Sequence, residues 1–112
     1  MMKRIKSNYH ALKVLKSAQP KLRKAIISNC NRELLNCISE CILNVLNGNL
    51  KVSDCAKQKL KKHKSVLRKV ADKRVTSSAK KKLINQRGGF LLPLLTAVLP
   101  TLANLLFRQR AK

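Results

Sequence analysis

The side chains with the most reactive chemistry are four cysteines, Cys30, Cys37, Cys41 and Cys55. Structural zinc sites bring paired cysteines close together on turns. Cys37 and Cys41 are four positions apart, so both thiols share one face of a helix, but that face is otherwise apolar, where free cysteine behaves as a small hydrophobic residue. We therefore predict buried thiols and no metal site. Because no secretory leader is visible, we expect reduced thiols in an intracellular setting.

The acidic and histidine side chains do not form a recognisable catalytic group. The chain has 4 acidic residues and 2 histidines. Glu33 and Asp54 are explained as residues at helix starts, and His10 and His63 have no acid or nucleophile partner in a motif. The pair Gly88-Gly89 is not followed by the Gly-Lys-Ser/Thr of a phosphate-binding loop. The prediction is a protein that is not an enzyme and takes no cofactor.

Positive charge dominates the composition. The 112 residues include 26 Lys and Arg and carry a formal charge of +22. A small soluble domain needs a net charge of magnitude only about 2–8, so the excess predicts a polyanionic partner, either nucleic acid or an anionic membrane. Three aromatic side chains (one Tyr and two Phe) are too few to stack many bases. Sequence-independent contacts to phosphates, most simply those of double-stranded DNA, fit this composition.

Three segments follow one another along the chain. We predict a helical front domain at 1–55, a basic helical nucleic-acid-binding segment at 56–87, and a Gly-Gly hinge with an apolar, Pro-kinked tail and a basic end at 88–112. The middle segment holds 13 of the 26 cationic side chains. The predicted phosphate contacts are Lys57, Lys59, Lys61, Lys62, Lys64, Arg68, Lys69, Lys73, Arg74, Lys80, Lys81, Lys82 and Arg87. The triplet at 80–82 also suits a nuclear import receptor.

Helical spacing of apolar residues predicts an all-α fold, a small bundle or hairpin of short helices with a separate C-terminal apolar helix. The first helix is expected to start at Ser7 or Asn8 and the second at Pro20. Asn31 is the expected N-cap of the third, which ends at Asn47-Gly48-Asn49. The predicted stripes include Tyr9, Leu12, Val14, Leu15 and Ala18 in the first helix, Leu22, Ala25, Ile26 and Ile27 in the second, and Leu34, Leu35, Ile38, Ile42, Val45 and Leu46 in the third.

The fourth predicted helix is the basic one. Ser53 caps it, and it is expected to run to Ala71 with a narrow apolar stripe that docks on the third helix. Its broad cationic face then points outward. A shorter helix is expected from Ser77 or Ser78 to Ile84.

The segment 88–107 contains no charged residue. Twenty residues of helix reach about 30 Å, the thickness of a bilayer core. However, Pro93 and Pro100 would kink a helix, and cations flank both ends. Three alternatives therefore stay open: a helix in the membrane interface, packing on a partner or a second copy, and a true span. The predicted contact residues are Phe90, Leu91, Leu94, Leu95, Val98, Leu99, Leu102, Leu105, Leu106 and Phe107.

The run RGGFLLPLL at 87–95 resembles the precursor of the adenovirus core protein mu, also called protein X. That family places a basic DNA-condensing segment before an Arg-Gly-Gly and an apolar, proline-containing tail. With its helical front, the chain is similar to proteins of Maverick/Polinton elements and adintoviruses, which are virus-like DNA elements. The resemblance implies a virion core protein that condenses DNA, in the virion and the host nucleus, with capsid proteins or self-association as further contacts.

The same resemblance implies a maturation cut at Gly88-Gly89, before Phe90. The adenovirus protease cuts after Gly-Gly when an aliphatic residue or Met stands two positions before the pair, where this chain has Gln86.

The alternative function is a membrane-active virion protein, lytic or anchoring, that acts through its C-terminal apolar helix.

Overall fold

A computed structural model describes residues 2–107 of the chain, with side chains for residues 4–104. Within this range the structure contains helices and no strand, which confirms the predicted all-α fold. The helices are α1 (Met2–Ser17), α2 (Pro20–Asn29), α3 (Arg32–Leu46), α4 (Asp54–Lys61), α5 (Lys64–Ala71), α6 (Ser77–Arg87) and α7 (Leu91–Phe107), with a 3-10 turn over Gly88–Phe90 between the last two.

The ends of the early helices follow the local sequence. Pro20 occupies the first turn of α2, as predicted. The side chain of Asn31 accepts a hydrogen bond from the backbone N–H of Leu34 at 3.0 Å, and Glu33 lies in the first turn of α3. After Leu46 the chain turns through Gly48, whose φ of 75° suits a residue without a Cβ. The boundaries predicted for α3 are confirmed.

Helix α1 begins earlier than predicted. It starts at Met2, so a cap at Ser7 or Asn8 is wrong. The additional turn is held by tertiary contacts, because Ile5 is fully buried and Arg4 forms ion pairs with Glu33 and Glu40 of α3. Four predicted stripe residues are exposed instead: Val14 at 44%, Leu22 at 55%, Leu46 at 39%, and Ala25.

The predicted fourth helix is two helices. Ser53 caps α4 as expected, accepting a hydrogen bond from the N–H of Ala56, but α4 ends at Lys61 and α5 begins at Lys64. The two parts pack on different neighbours: α4 on α7, and α5 on α3 and α6. One straight helix cannot follow both surfaces, so the chain turns at Lys62 and His63. Helix α6 is capped by Thr76, not by Ser77 or Ser78, and runs to Arg87.

Helix α7 lies within the bundle and packs mainly on α1 and α4. Its buried residues recur at three- and four-residue spacing from Leu91 to Leu102, which is the stripe of a helix with one face in a core. Pro93 is in the first turn, where its missing N–H removes no helical hydrogen bond. The helix continues through Pro100 to Phe107. The C-terminal apolar segment is thus a helix of its own that is integrated in the core.

Candidate nucleic-acid interface

The cationic side chains of 56–87 are placed by short helices with few apolar contacts. Helix α4 buries one large side chain, Leu60, and Ala56 is half-buried. Helix α5 buries a continuous face of Val66, Leu67, Val70 and Ala71. Most of the circumference of both helices is therefore exposed to solvent. Of the thirteen predicted contact residues, eleven are exposed: Lys57, Lys59, Lys61, Lys62, Lys64, Arg68, Lys69, Lys73, Arg74, Lys82 and Arg87.

Glu33, Glu40 and Asp72 form ion pairs with arginines, and no described carboxylate forms one with a lysine. Among the described side chains, the ion pairs join Arg4 to Glu33 and Glu40, and Arg74 to Asp72. The guanidinium of Arg74 contacts both oxygens of Asp72, at 3.2 and 3.0 Å. These hydrogen bonds lower the pKa of Asp72 below its ordinary value. The exposed lysines of α4 and α5 thus form no ion pair with a described carboxylate and are available to an external anion.

Two residues of the triplet at 80–82 differ from the rest of the surface. Lys80 is 6% exposed, and its Nζ donates to the hydroxyl of Ser39 at 3.4 Å. Burial lowers the pKa of Lys80, although the charge of Asp72 acts in the opposite direction. Lys81 is half-buried and donates to the backbone oxygen of Ser28 at 3.3 Å. Lys80 therefore does not belong to the exposed surface on which it was predicted, because its stem enters the junction of α3, α5 and α6.

The cysteines are in the environments expected of unreactive thiols, with one exception. Cys37 and Cys41 are fully buried, as predicted. The hydrogen bond with Cys37 and then burial raise the pKa of Cys41 above its ordinary value. Cys30 is half-buried, and burial also raises its pKa. Cys55 is exposed. In the described part of the chain, no group of three His, Cys, Asp or Glu side chains is placed to hold a metal ion.

The Gly-Gly pair is folded into the 3-10 turn between α6 and α7. Gly89 is exposed, whereas Phe90 is fully buried. The imidazole of His63 lies against Gly89, where a Cβ would come within 3.3 Å of its Cε1. Because a protease needs an extended segment, a cut between Gly89 and Phe90 requires this turn to open first.

The predicted membrane or partner contacts are instead core residues wherever their side chains are described. The seven concerned are between 0% and 5% exposed: Phe90, Leu91, Leu94, Leu95, Val98, Leu99 and Leu102. Leu105, Leu106 and Phe107 fall outside the described side chains. Over residues 2–107, no helix combines the length and hydropathy needed to cross a bilayer. Contact of this buried face of α7 with a membrane would require the helix to leave the bundle.

Two arginine contacts that the sequence did not predict hold the front helices together. Arg23 donates to the backbone oxygens of Leu15 and Ala18, at 3.0 and 2.6 Å, and so satisfies the last turn of α1 from α2. Arg4 links α1 to α3 through Glu33 and Glu40. Both arginines are half-buried and serve the fold.

A cleft that sequence reasoning did not predict lies between α3 and the connection from α5 to α6. Its volume is about 530 Å³. The lining includes one carboxylate, from Glu40, together with five cationic side chains: Arg4, Arg32, Lys73, Arg74 and Lys80. Its cations come from segments far apart in the chain, so only the folded arrangement brings them together.

Comparison with protein families, with curated proteins and with solved structures found no match to this chain.

Proposed function

We propose that the chain binds the phosphates of nucleic acid, most simply duplex DNA, without reading bases, and that it condenses the duplex. The observation that supports this most directly is the set of eleven exposed cations on the ordered segment 56–87, none of whose lysines pairs with a described carboxylate. Such a surface lowers its own electrostatic repulsion by contact with a polyanion and gains free energy from counterion release.

The dimensions of the molecule suit a duplex. Its longest extent is 42 Å, and one strand rises about 3.4 Å per base pair. The molecule therefore covers about twelve base pairs, whose two strands carry about 25 phosphates. This number is close to the formal charge of +22. One protein for each turn of duplex would neutralise most of the DNA charge, as condensation requires.

The aromatic side chains favour phosphate contacts over base stacking. Tyr9 is half-buried, and the ammonium of Lys13, one turn later in α1, lies 5.9 Å from the centre of its ring. Phe90 is fully buried. Phe90 therefore cannot stack on a base, and Tyr9 alone gives no row of rings for successive bases. The described surface therefore supports binding to the phosphate backbone of the nucleic acid.

The first test measures binding to two duplexes of unrelated sequence over a series of salt concentrations. If about half of the eleven exposed cations contact phosphates at once, the logarithm of the association constant should fall with the logarithm of salt with a slope of about −5. Both duplexes should give the same slope and similar affinities. A flat salt dependence, or a strong preference for one duplex, would refute the proposal.

The second test reverses the charge of four exposed residues of α4 and α5, Lys61, Lys62, Arg68 and Lys69, to Glu. Condensation should be abolished while helix content is nearly unchanged, because none of the four side chains is buried. The matched control reverses four exposed lysines outside the segment: Lys6, Lys16, Lys21 and Lys24. It changes net charge equally, so an equal loss of binding in both variants would show that the segment has no special part.

The resemblance to adenovirus core proteins supports a more specific role, which we also propose: packing of DNA inside a virus-like particle that enters the host nucleus. The maturation cut between Gly89 and Phe90 belongs to this role, with the severed α7 still packed in the core that holds the cationic helices. Mass analysis of chains from particles should find the fragment that ends at Gly89. Recovery of intact chain alone would remove the cut from the proposal without affecting DNA binding.

A further inference from the structure

The cleft between α3 and the α5–α6 connection is lined by a buried lysine. Lys80 is 6% exposed and lines this cleft. An ammonium carries three hydrogen-bond donors, and the partner found for Nζ among the described residues is Ser39 Oγ, at the long distance of 3.4 Å. No carboxylate of the described residues forms an ion pair with it. The carboxylate of Asp72 attracts Lys80 only from beyond ion-pair distance. A buried charge with so little compensation is costly unless an anion joins it.

The surroundings of Lys80 add to its positive charge. Arg32 and Lys73 are exposed on the rim of the cleft. Arg4 and Arg74 also line it, but their guanidinium groups already bind carboxylates. Glu40, the lining carboxylate, binds Arg4 through Oε1, and its Oε2 is buried without a hydrogen-bond partner among the described residues. The cations still available for a ligand are therefore Arg32, Lys73 and Lys80.

The beginning of α6 also faces this cleft, since Thr76 and Ser77 line it. Thr76 Oγ1 accepts from the N–H of Ala79 at 3.1 Å, so the cap leaves the N–H groups of Ser77 and Ser78 without a helical acceptor. These groups and the positive end of the helix dipole favour an anion at the same place as the ammonium of Lys80.

We propose that this cleft binds the terminal phosphate of a ligand, with Lys80 as the central contact and Arg32 and Lys73 at the rim. A volume of about 530 Å³ is within the usual range of about 300–1,000 Å³ for small-ligand sites. A rigid duplex, contacted from outside, meets the rim, whereas only a narrow group enters far enough to reach Lys80. The ligand is thus either a free polyphosphate or nucleotide, or the phosphorylated end of a strand. The proposal does not depend on the DNA-binding surface of α4 and α5.

The test uses inorganic pyrophosphate as the probe and calorimetric titration as the measurement, with a matched pair of variants. Lys80→Met and Lys82→Met remove the same charge from the same helix, but Lys82 is exposed and lies outside the cleft. Loss of a charge-assisted hydrogen bond should weaken pyrophosphate binding about tenfold or more in Lys80→Met. Lys82→Met should change it less than about twofold, as expected for a distant exposed charge.

Two further arms keep the result interpretable. Circular dichroism establishes that Lys80→Met is folded, and Arg32→Gln, a change at an exposed rim residue, should weaken pyrophosphate binding by a smaller factor. Oligonucleotides of one sequence with a 5′-phosphate or a 5′-hydroxyl identify the source: tighter binding of the phosphorylated strand, lost in Lys80→Met, supports a strand end, and equal binding of both supports a free ligand. Absence of pyrophosphate binding, or equal effects of Lys80→Met and Lys82→Met, would overturn the inference. Duplex binding by the exposed lysines would survive that outcome.

Discussion

The position of α7 predicts that alanine substitutions at two leucines close together in the sequence lower the stability of the protein by very different amounts. Leu94 is 0% exposed, whereas Leu92, two residues earlier, is 42% exposed. If α7 is a core helix, Leu94→Ala removes a fully buried side chain and leaves a cavity, while Leu92→Ala mainly removes surface contact. If α7 instead served a membrane or a partner in the free protein, the two substitutions would have similar, small effects on stability.

The magnitude follows from the burial of Leu94. Substitution of a buried leucine by alanine costs about 2–5 kcal/mol, with the higher values where the surroundings cannot collapse. A chain of 112 residues has a free energy of unfolding of about 6–17 kcal/mol. We therefore expect Leu94→Ala to lower the Tm by about 8–20 °C, at about 4 °C for each kcal/mol. Leu92→Ala should lower it by less than about 4 °C, since alanine also favours the helix.

Thermal unfolding followed by far-UV circular dichroism measures both variants beside the unchanged chain in one buffer. The buffer should contain no polyanion and no lipid, because either would stabilise the fold by binding to it. Equal Tm values for Leu94→Ala and Leu92→Ala would refute the reasoning, and with it the placement of α7 in the core.

Three other predictions follow from the core, the caps and the buried lysine. Removal of 90–112 deletes seven core side chains, worth about 1.5–3 kcal/mol each, so the chain ending at Gly89 should be unfolded by circular dichroism, and a cooperative melt would contradict this. Thr76→Ala should destabilise the protein by about 1 kcal/mol in urea titrations, with Ser78→Ala near zero as its control. The pKa of Lys80 is lower in the folded chain than its ordinary 10.5, so stability should rise with pH through the interval below 10.5, where the unfolded chain binds more protons. Urea titrations should show a smaller rise in Lys80→Met than in Lys82→Met, and equal rises would exclude the desolvation of Lys80.

Local chemistry was enough to predict several helix ends. Asn31 and Ser53 act as N-caps through their own side chains, and Pro20 starts α2 through its fixed φ. Such features depend on a few neighbouring residues and can be derived from sequence alone. The start of α1 could not, because it depends on the contact of Arg4 and Ile5 with a helix some thirty residues away in the chain.

The burial of Lys80 was missed for a related reason. Three consecutive lysines look the same in the sequence whether their helix is exposed or packs against other helices. In the folded chain, α6 packs on α2, α3 and α5, so adjacent lysines point to different surroundings. The long stem of lysine lets one of them cross an apolar contact region and end beside Ser39. Only the packing partners of α6 determine which lysine that is.

The uncharged segment at the end of the chain had the same ambiguity. A helix that crosses a bilayer and a helix buried in a small bundle both need apolar side chains, and here both fit the length of the segment. What decides between them is whether enough amphipathic helices are available to cover the segment. Helices α1 and α4 provide that cover, with Leu12, Leu15 and Leu60 among the buried residues.

The packing of α7 also explains how the lysines of so basic a chain are held at fixed positions. A helix as short as α4, with 8 residues and one large buried side chain, is unstable in isolation. Its contact with α7 supplies the apolar surface that it lacks, so the positions of the exposed lysines are fixed before any anion arrives. A disordered basic tail must lose conformational entropy when it binds DNA, whereas this surface loses little. In the phosphate binding that we propose, α7 would thus act without touching a phosphate, by keeping the cationic helices folded.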